Sequence, residues 1–135
     1  MARRINLSQI GSYSTEKYEQ LLRSVVFKTD YQLKLESPVD TGRFRLSWAI
    51  SEQGTPGYDA GPQTEVGAIT PPRRLDYQVE RAGNTYHIHN SLPYAEPLAN
   101  GHGRNPQAPA GWTDLIAREI TQWARAEANK IGRAD

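Results

Sequence analysis

The stretch SPVDTGRFRLSWAI, residues Ser37–Ile50, is where the chain changes period. Within it Phe44, Leu46, Trp48 and Ile50 alternate with Arg43, Arg45, Ser47 and Ala49, the pattern of a strand with one buried face and one basic or small face. Pro38 disfavours helical geometry in the residue before it, so a helix arriving from upstream stops near Ser37. Between the two periods, Asp40, Thr41 and Gly42 supply a turn. An Asp carboxylate accepts backbone amides two residues on, and Gly adopts positive φ without cost, so this reading needs no catalytic role for Asp40.

Upstream, Leu21, Leu22, Val25, Val26 and Leu33 recur at helical spacing. Ser14 or Thr15 suits the start as a cap and Glu16 suits the positive end of the dipole, which predicts a helix from Thr15 to Glu36. Downstream, Glu52 to Gln63 holds Gly54, Pro56, Gly57, Gly61 and Pro62, a long flexible connection of the kind usually spent on function or left disordered. Leu75, Tyr77 and Val79 alternate again, Arg81 to Asn84 supply turn residues, and Tyr86 and Ile88 resume the alternation, which predicts a hairpin. Val66 to Ile69 adds a short strand, which Pro71 and Pro72 confine to an edge. From Thr113 or Asp114 onward, Leu115, Ile116, Ile120, Trp123 and Ala124 fall at helical spacing, with Arg118, Glu119, Arg125 and Glu127 mostly away from them. The expected fold is α+β: one domain over residues 1–135, with a small antiparallel sheet of about four strands packed against an N-terminal and a C-terminal helix, joined by long loops.

The 135 residues carry 16 Lys+Arg against 15 Asp+Glu, a formal net charge of +1, so bulk charge points to no nucleic acid, membrane or acidic substrate. The absence of cysteine removes disulfides, thiolate metal ligands and a cysteine nucleophile. The N-terminus has Arg3 and Arg4 but no signal-peptide apolar run, and no stretch reaches the roughly 18 apolar residues of a membrane span. The expectation is a soluble, non-secreted protein.

His87 and His89, two apart on a strand, put both imidazoles on one face, where a metal could reach both. A zinc site needs further ligands, from His102 or a carboxylate, and two solvent-facing strand histidines are the simpler reading. No G-x-S-x-G elbow is present, and the carboxylates are scattered over helical surfaces and turns rather than paired. Gly101-His102-Gly103-Arg104 lacks the strand-loop-helix setting and the Lys-Ser/Thr ending of a phosphate loop. Arg43 and Arg45 on the exposed strand face, with Arg73 and Arg74, are either a solvated surface or one that meets DNA phosphates. From Pro93 to Gly111 the prolines stiffen an apolar segment containing Tyr94, Ala95 and Leu98; a stiffened segment loses less entropy on docking and suits contact with another chain.

Three segments together carry a resemblance. Ser37 to Trp48, then Ile88 to Leu98 (IHNSLPYAEPL), then Gly101-His102 with Gln107 to Gly111 (QAPAG), resemble in content and order the small neck or tail-completion proteins of long-tailed bacteriophages, over about Pro38 to Ile120. Two positions depart from that pattern: Ala99 stands where an acidic residue is usual, and Trp112 where a Met is usual. The resemblance implies a non-enzymatic structural virion protein, also described as a tail terminator or head–tail connector, working without a cofactor as a ring around the DNA channel where head meets tail. It further implies assembly in the host cytoplasm, a hexameric ring of copies of itself, and contacts to head-completion, tail-terminator or tail-tube proteins. On this likeness Tyr94, Leu98, His102, Gln107 and Pro109 mark the subunit or partner interface, and Arg43 and Arg45 line the DNA lumen. The residues alone leave two other readings: a metal-dependent enzyme using His87, His89 and His102, or a binding module outside the virion.

Overall fold

The computed structural model describes residues 7–37, 42–63, 68–93, 95 and 111–133. Among them the chain forms α1 (Leu7–Glu36), α2 (Arg43–Leu46), β1 (Trp48–Ser51), β2 (His87–Asn90) and α3 (Trp112–Arg133). The fold is α+β, with α1 and α3 packed on each other and flanking a small antiparallel sheet. No helix among the described residues is long and apolar enough to cross a membrane.

The first helix ends at Glu36, as Pro38 predicts, but begins at Leu7 rather than Thr15. No proline stands between Leu7 and Thr15, and the helix runs through the two residues expected to cap it. At its C-terminal end the Ser37 amide donates to the Lys34 carbonyl at 3.3 Å, and the Ser37 hydroxyl donates to the Leu33 carbonyl. Trp48 Nε1 donates to the same Ser37 oxygen at 2.8 Å, which fastens the helix end to the first strand.

The inward face of α1 buries Val26, Asp30 and Lys34 at four-residue intervals, with Leu33 beside them three after Asp30. Lys34 is 0 % exposed and Asp30 1 %. The Lys34 ammonium sits 2.7 Å from Asp30 Oδ2 and donates to the carbonyls of Thr70 at 3.1 Å and Pro71 at 3.2 Å. All three of its donors are thereby satisfied, and residues 70–71 are clamped to the helix. Burial raises the Asp30 pKa, and Lys34 offsets that in part.

The core gathers Leu33, Phe44, Trp48, Leu92, Trp112, Ile116 and Ile120. Trp48 meets Phe44 edge-on at 5.9 Å between centroids and Trp112 at 6.4 Å with planes 89° apart. Each such aromatic pair is worth about 0.5–1.5 kcal/mol beyond its buried area. Gly111, at φ 81°, opens α3 one residue before its expected start, and its carbonyl accepts the Leu115 amide at 3.0 Å.

The sheet differs from expectation. Among the described residues it has two strands rather than about four: β1 pairs antiparallel with β2, Trp48 opposite Asn90 through Ser51 opposite His87, and β1 makes one isolated parallel bridge, Ile50 to Arg74. Residues 43–46 are not strand but a single helical turn, in which the Leu46 amide bonds the Gly42 carbonyl at 3.1 Å. Phe44 and Leu46 are both buried there while Arg43 and Arg45 stay partly exposed, and all four residues of β1 are buried, so β1 lacks the solvent face that alternation implied. The expected hairpin arm over Leu75–Val79 does not form. Its flanking residues Arg74 and Glu80 make a bidentate ion pair at 2.6 and 2.9 Å, whereas an extended strand would hold their Cα atoms about 20 Å apart. The turn at Arg81–Asn84 is present, with Gly83 at φ 88°. Of Val66–Ile69, residues 66–67 lie outside the described residues, and Ala68 and Ile69 are not in a strand.

Candidate functional site

The polar side chains converge where β1, β2 and the connection 52–63 meet. That connection is irregular but tied at several points. The Asp76 carboxylate accepts the amides of Glu52 at 2.7 Å and Gln53 at 2.9 Å, and these two bonds lower its pKa. Arg43 donates to both Asp59 oxygens, its Nε at 2.8 Å, and Asp59 Oδ1 also accepts the Gly61 amide at 2.8 Å. The Arg43 bond first and the Gly61 amide second hold the Asp59 carboxyl down at about 2. Ser47 Oγ donates to the Arg43 carbonyl at 2.6 Å and accepts the Ala60 amide at 3.1 Å. Just after β2, Ser91 Oγ accepts the Tyr58 amide at 3.0 Å, while Arg73 lies over the Tyr58 ring at 5.4 Å.

Ser51 and His89 form the closest approach to a catalytic pair. Ser51 Oγ and His89 Nε2 are 3.0 Å apart, a diagonal contact across the two strands and the spacing of a nucleophile and its base. The Ser51 hydroxyl, however, donates to the Gly54 carbonyl, so its oxygen accepts from Nε2–H of His89. Ser51 is also fully buried, out of reach of any substrate. The pair therefore anchors the start of the connection 52–63. His89 Nδ1 is buried without a hydrogen-bond partner. Burial first, then the neighbouring His87, lowers the His89 pKa, against the pull of Asp76.

Several predicted positions are now located. Gly42 takes φ 81° at the start of α2, the left-handed conformation expected of the turn; Asp40 and Thr41 lie outside the described residues. Arg43 and Arg45 stand on α2 rather than on an exposed strand face. Arg43 is engaged by Asp59, and Arg45 donates to the Leu35 carbonyl at 3.0 Å, with its pKa lowered by burial. Tyr94, Leu98, His102, Gln107 and Pro109 lie outside the described residues. His87 is exposed as expected, but His89 is half-buried and bonded rather than solvent-facing. Among the described residues no three His, Asp or Glu side chains stand together as a metal cluster.

The anchors Ser51, Asp59 and Asp76 escaped the sequence reading. Asp59-x-Gly61 is a visible Asp turn, but the contact from Asp76 back to Glu52 and Gln53 crosses an irregular segment that leaves no periodic signal. No family model, curated protein or solved structure matches the chain.

Proposed function

We propose that the chain is a structural virion protein of a tailed phage, not an enzyme, forming a ring at the head–tail junction that completes the tail and joins it to the DNA-filled head. The observation that carries this reading is the ordered trio of motifs, PVDTGRFRLSW, IHNSLPYAEPL and GH followed by QAPAG, within one small domain. The polar geometry is compatible with it: Ser47, Ser51, Asp59 and Asp76 all make bonds to backbone groups, the arrangement of a scaffold that presents loops.

A ring needs heterologous contacts, one surface of each subunit meeting a different surface of the next. In this proposal the segment 93–111, through Tyr94, Leu98, His102, Gln107 and Pro109, contacts the neighbouring subunit or partner ring, and the connection 52–63 supplies a second contact. Six copies close the ring, by the likeness of its motifs. The partners are head-completion, tail-terminator or tail-tube proteins, with genomic DNA passing through. Arg43 and Arg45 are the residues assigned to the lumen, and the bond from Arg43 to Asp59 means that Arg43 presents a largely neutralised pair to the DNA. No cofactor is required.

Peptide mass spectrometry of purified virions tests the reading. The expected result is this protein at a few copies per particle, in fixed ratio to the tail-tube protein. Its absence from virions, together with bound zinc lost in a His87→Ala, His89→Ala variant, would overturn it.

A further inference from the structure

The outward face of α1 carries Phe27, Tyr31 and Leu35, each four residues after the last, at 57 %, 41 % and 45 % exposure. That spacing stacks them into one stripe, about 12 Å from first to last along the helix. The Phe27 and Tyr31 rings lie nearly parallel, with centroids 6.5 Å and planes 8° apart. Beside the stripe runs an open groove of about 630 Å³, whose lining includes Arg23, Lys28 and Arg74 with Trp123 of α3 and contains no carboxylate. Among the described residues, Arg74 alone of these cations has a carboxylate partner, Glu80. The Lys28 ammonium lies 5.0 Å from the Trp123 ring centre, and Arg23 Nε is buried with no hydrogen-bond partner. Inward of the stripe, Asp30 and Lys34 cancel each other. One margin of an uncovered apolar stripe is therefore positively charged.

We propose that this stripe and groove dock an amphipathic helix of another protein, one with an apolar stripe and an acidic margin. Apolar side chains at four-residue intervals form the ridge that packs into the grooves of a second helix. A cationic margin without carboxylates selects acidic groups across the contact. Two copies of this chain meeting stripe to stripe would offer this basic margin no acidic partner from the groove, whose lining has no carboxylate. A single-stranded nucleic acid would use rings and cations but gains nothing from Leu35, which continues the stripe. The inference stands apart from the virion reading.

The test uses the full chain and two labelled synthetic helices, each with leucines at four-residue intervals, one with glutamates on its margins and its twin with lysines. Anisotropy should show the glutamate helix binding at least about tenfold tighter than the twin, and more weakly as salt rises. Binding should protect Trp123 from acrylamide, since Trp48 and Trp112 are already buried. Arg23→Glu should narrow or reverse the preference, and Phe27→Ser should weaken binding by about tenfold with an unchanged circular dichroism spectrum. Equal binding of both helices, or binding of neither, overturns the proposal without reference to any variant. So does self-association abolished by Phe27→Ser, which would make a second copy the occupant, or Phe27-dependent preference for a single-stranded oligonucleotide.

Discussion

Each of the two faces of α1 carries some residues of the type usually found on the other. Inward lie Lys34 and Asp30, the most completely enclosed charges of the helix, while Phe27, Tyr31 and Leu35 face out. The inward charges are held because every donor of the ammonium has an acceptor: one carboxylate and two carbonyls from residues 70–71. No described element covers the outward stripe, so its residues add little to the stability of the isolated chain. Burial here follows the partners available: hydrophobicity alone places Val26 and Leu33 inside, as found, but would also have put Asp30 and Lys34 outside.

Removing one member of the inward pair should break the comparison most severely. Lys34→Ala leaves the Asp30 carboxylate buried without its counter-ion and frees residues 70–71, and chemical denaturation should show a loss of about 3–5 kcal/mol. Replacing both, Asp30→Leu with Lys34→Met, should recover most of that loss; a double variant as unstable as the single would show that the clamp on residues 70–71 matters more than the charge.

Next in size is Glu80, fully buried: burial pushes its pKa up, but its polar neighbours, Arg74 first, outweigh that and hold it below its ordinary value. Glu80→Gln removes the charge that bends residues 74–80 back on themselves. The expected cost is about 2 kcal/mol, read by thermal unfolding, with an unchanged midpoint counting against the bend as the reason the hairpin fails to form.

A smaller effect belongs to His89, whose buried Nδ1 is unmatched where the Lys34 donors are all met. Its folded pKa lies below the ordinary 6.5, so between the two values the unfolded chain binds more protons than the folded one. The contribution is full above pH 6.5 and is lost as pH falls through the lowered folded value. Denaturation midpoints at a series of pH values should fall over that window, and His89→Gln should flatten the slope. An equal slope in the variant would assign it to another group.

The smallest effect is expected on the outward face. Phe27→Ser and Tyr31→Ser should change the stability of the isolated chain by no more than about 0.5 kcal/mol, despite the size of the side chains removed. A loss of about 2 kcal/mol or more would mean that these rings are covered within the chain.

Much of the helical layer was legible in the sequence. Pro38 marked the end of α1, and the spacing of Ile116, Ile120 and Trp123 marked α3. Gly42 was legible as a positive-φ turn. The alternation from Arg43 to Leu46 misled because one helical turn buries Phe44 and Leu46 as well as a strand would. Asp30 and Lys34 have the four-residue spacing common to solvent-exposed helix pairs, and nothing in the sequence announces that the carbonyls of Thr70 and Pro71 arrive to enclose the ammonium. Beyond the local Asp59 turn, the ties of the connection 52–63 to Asp76, Ser47 and Ser91 were illegible for the same reason: they join side chains to backbone distant in sequence. The interface expected at Tyr94, Leu98, His102, Gln107 and Pro109 rests on motif order alone.

The measurement that reaches the central proposal most directly is the mass of the purified protein by light scattering, alone and then mixed with tail tubes that lack it. The account predicts a closed ring, either in free solution or formed from monomers on the tube end. A chain that stays monomeric, and binds neither tail tubes nor DNA-filled heads, would contradict it.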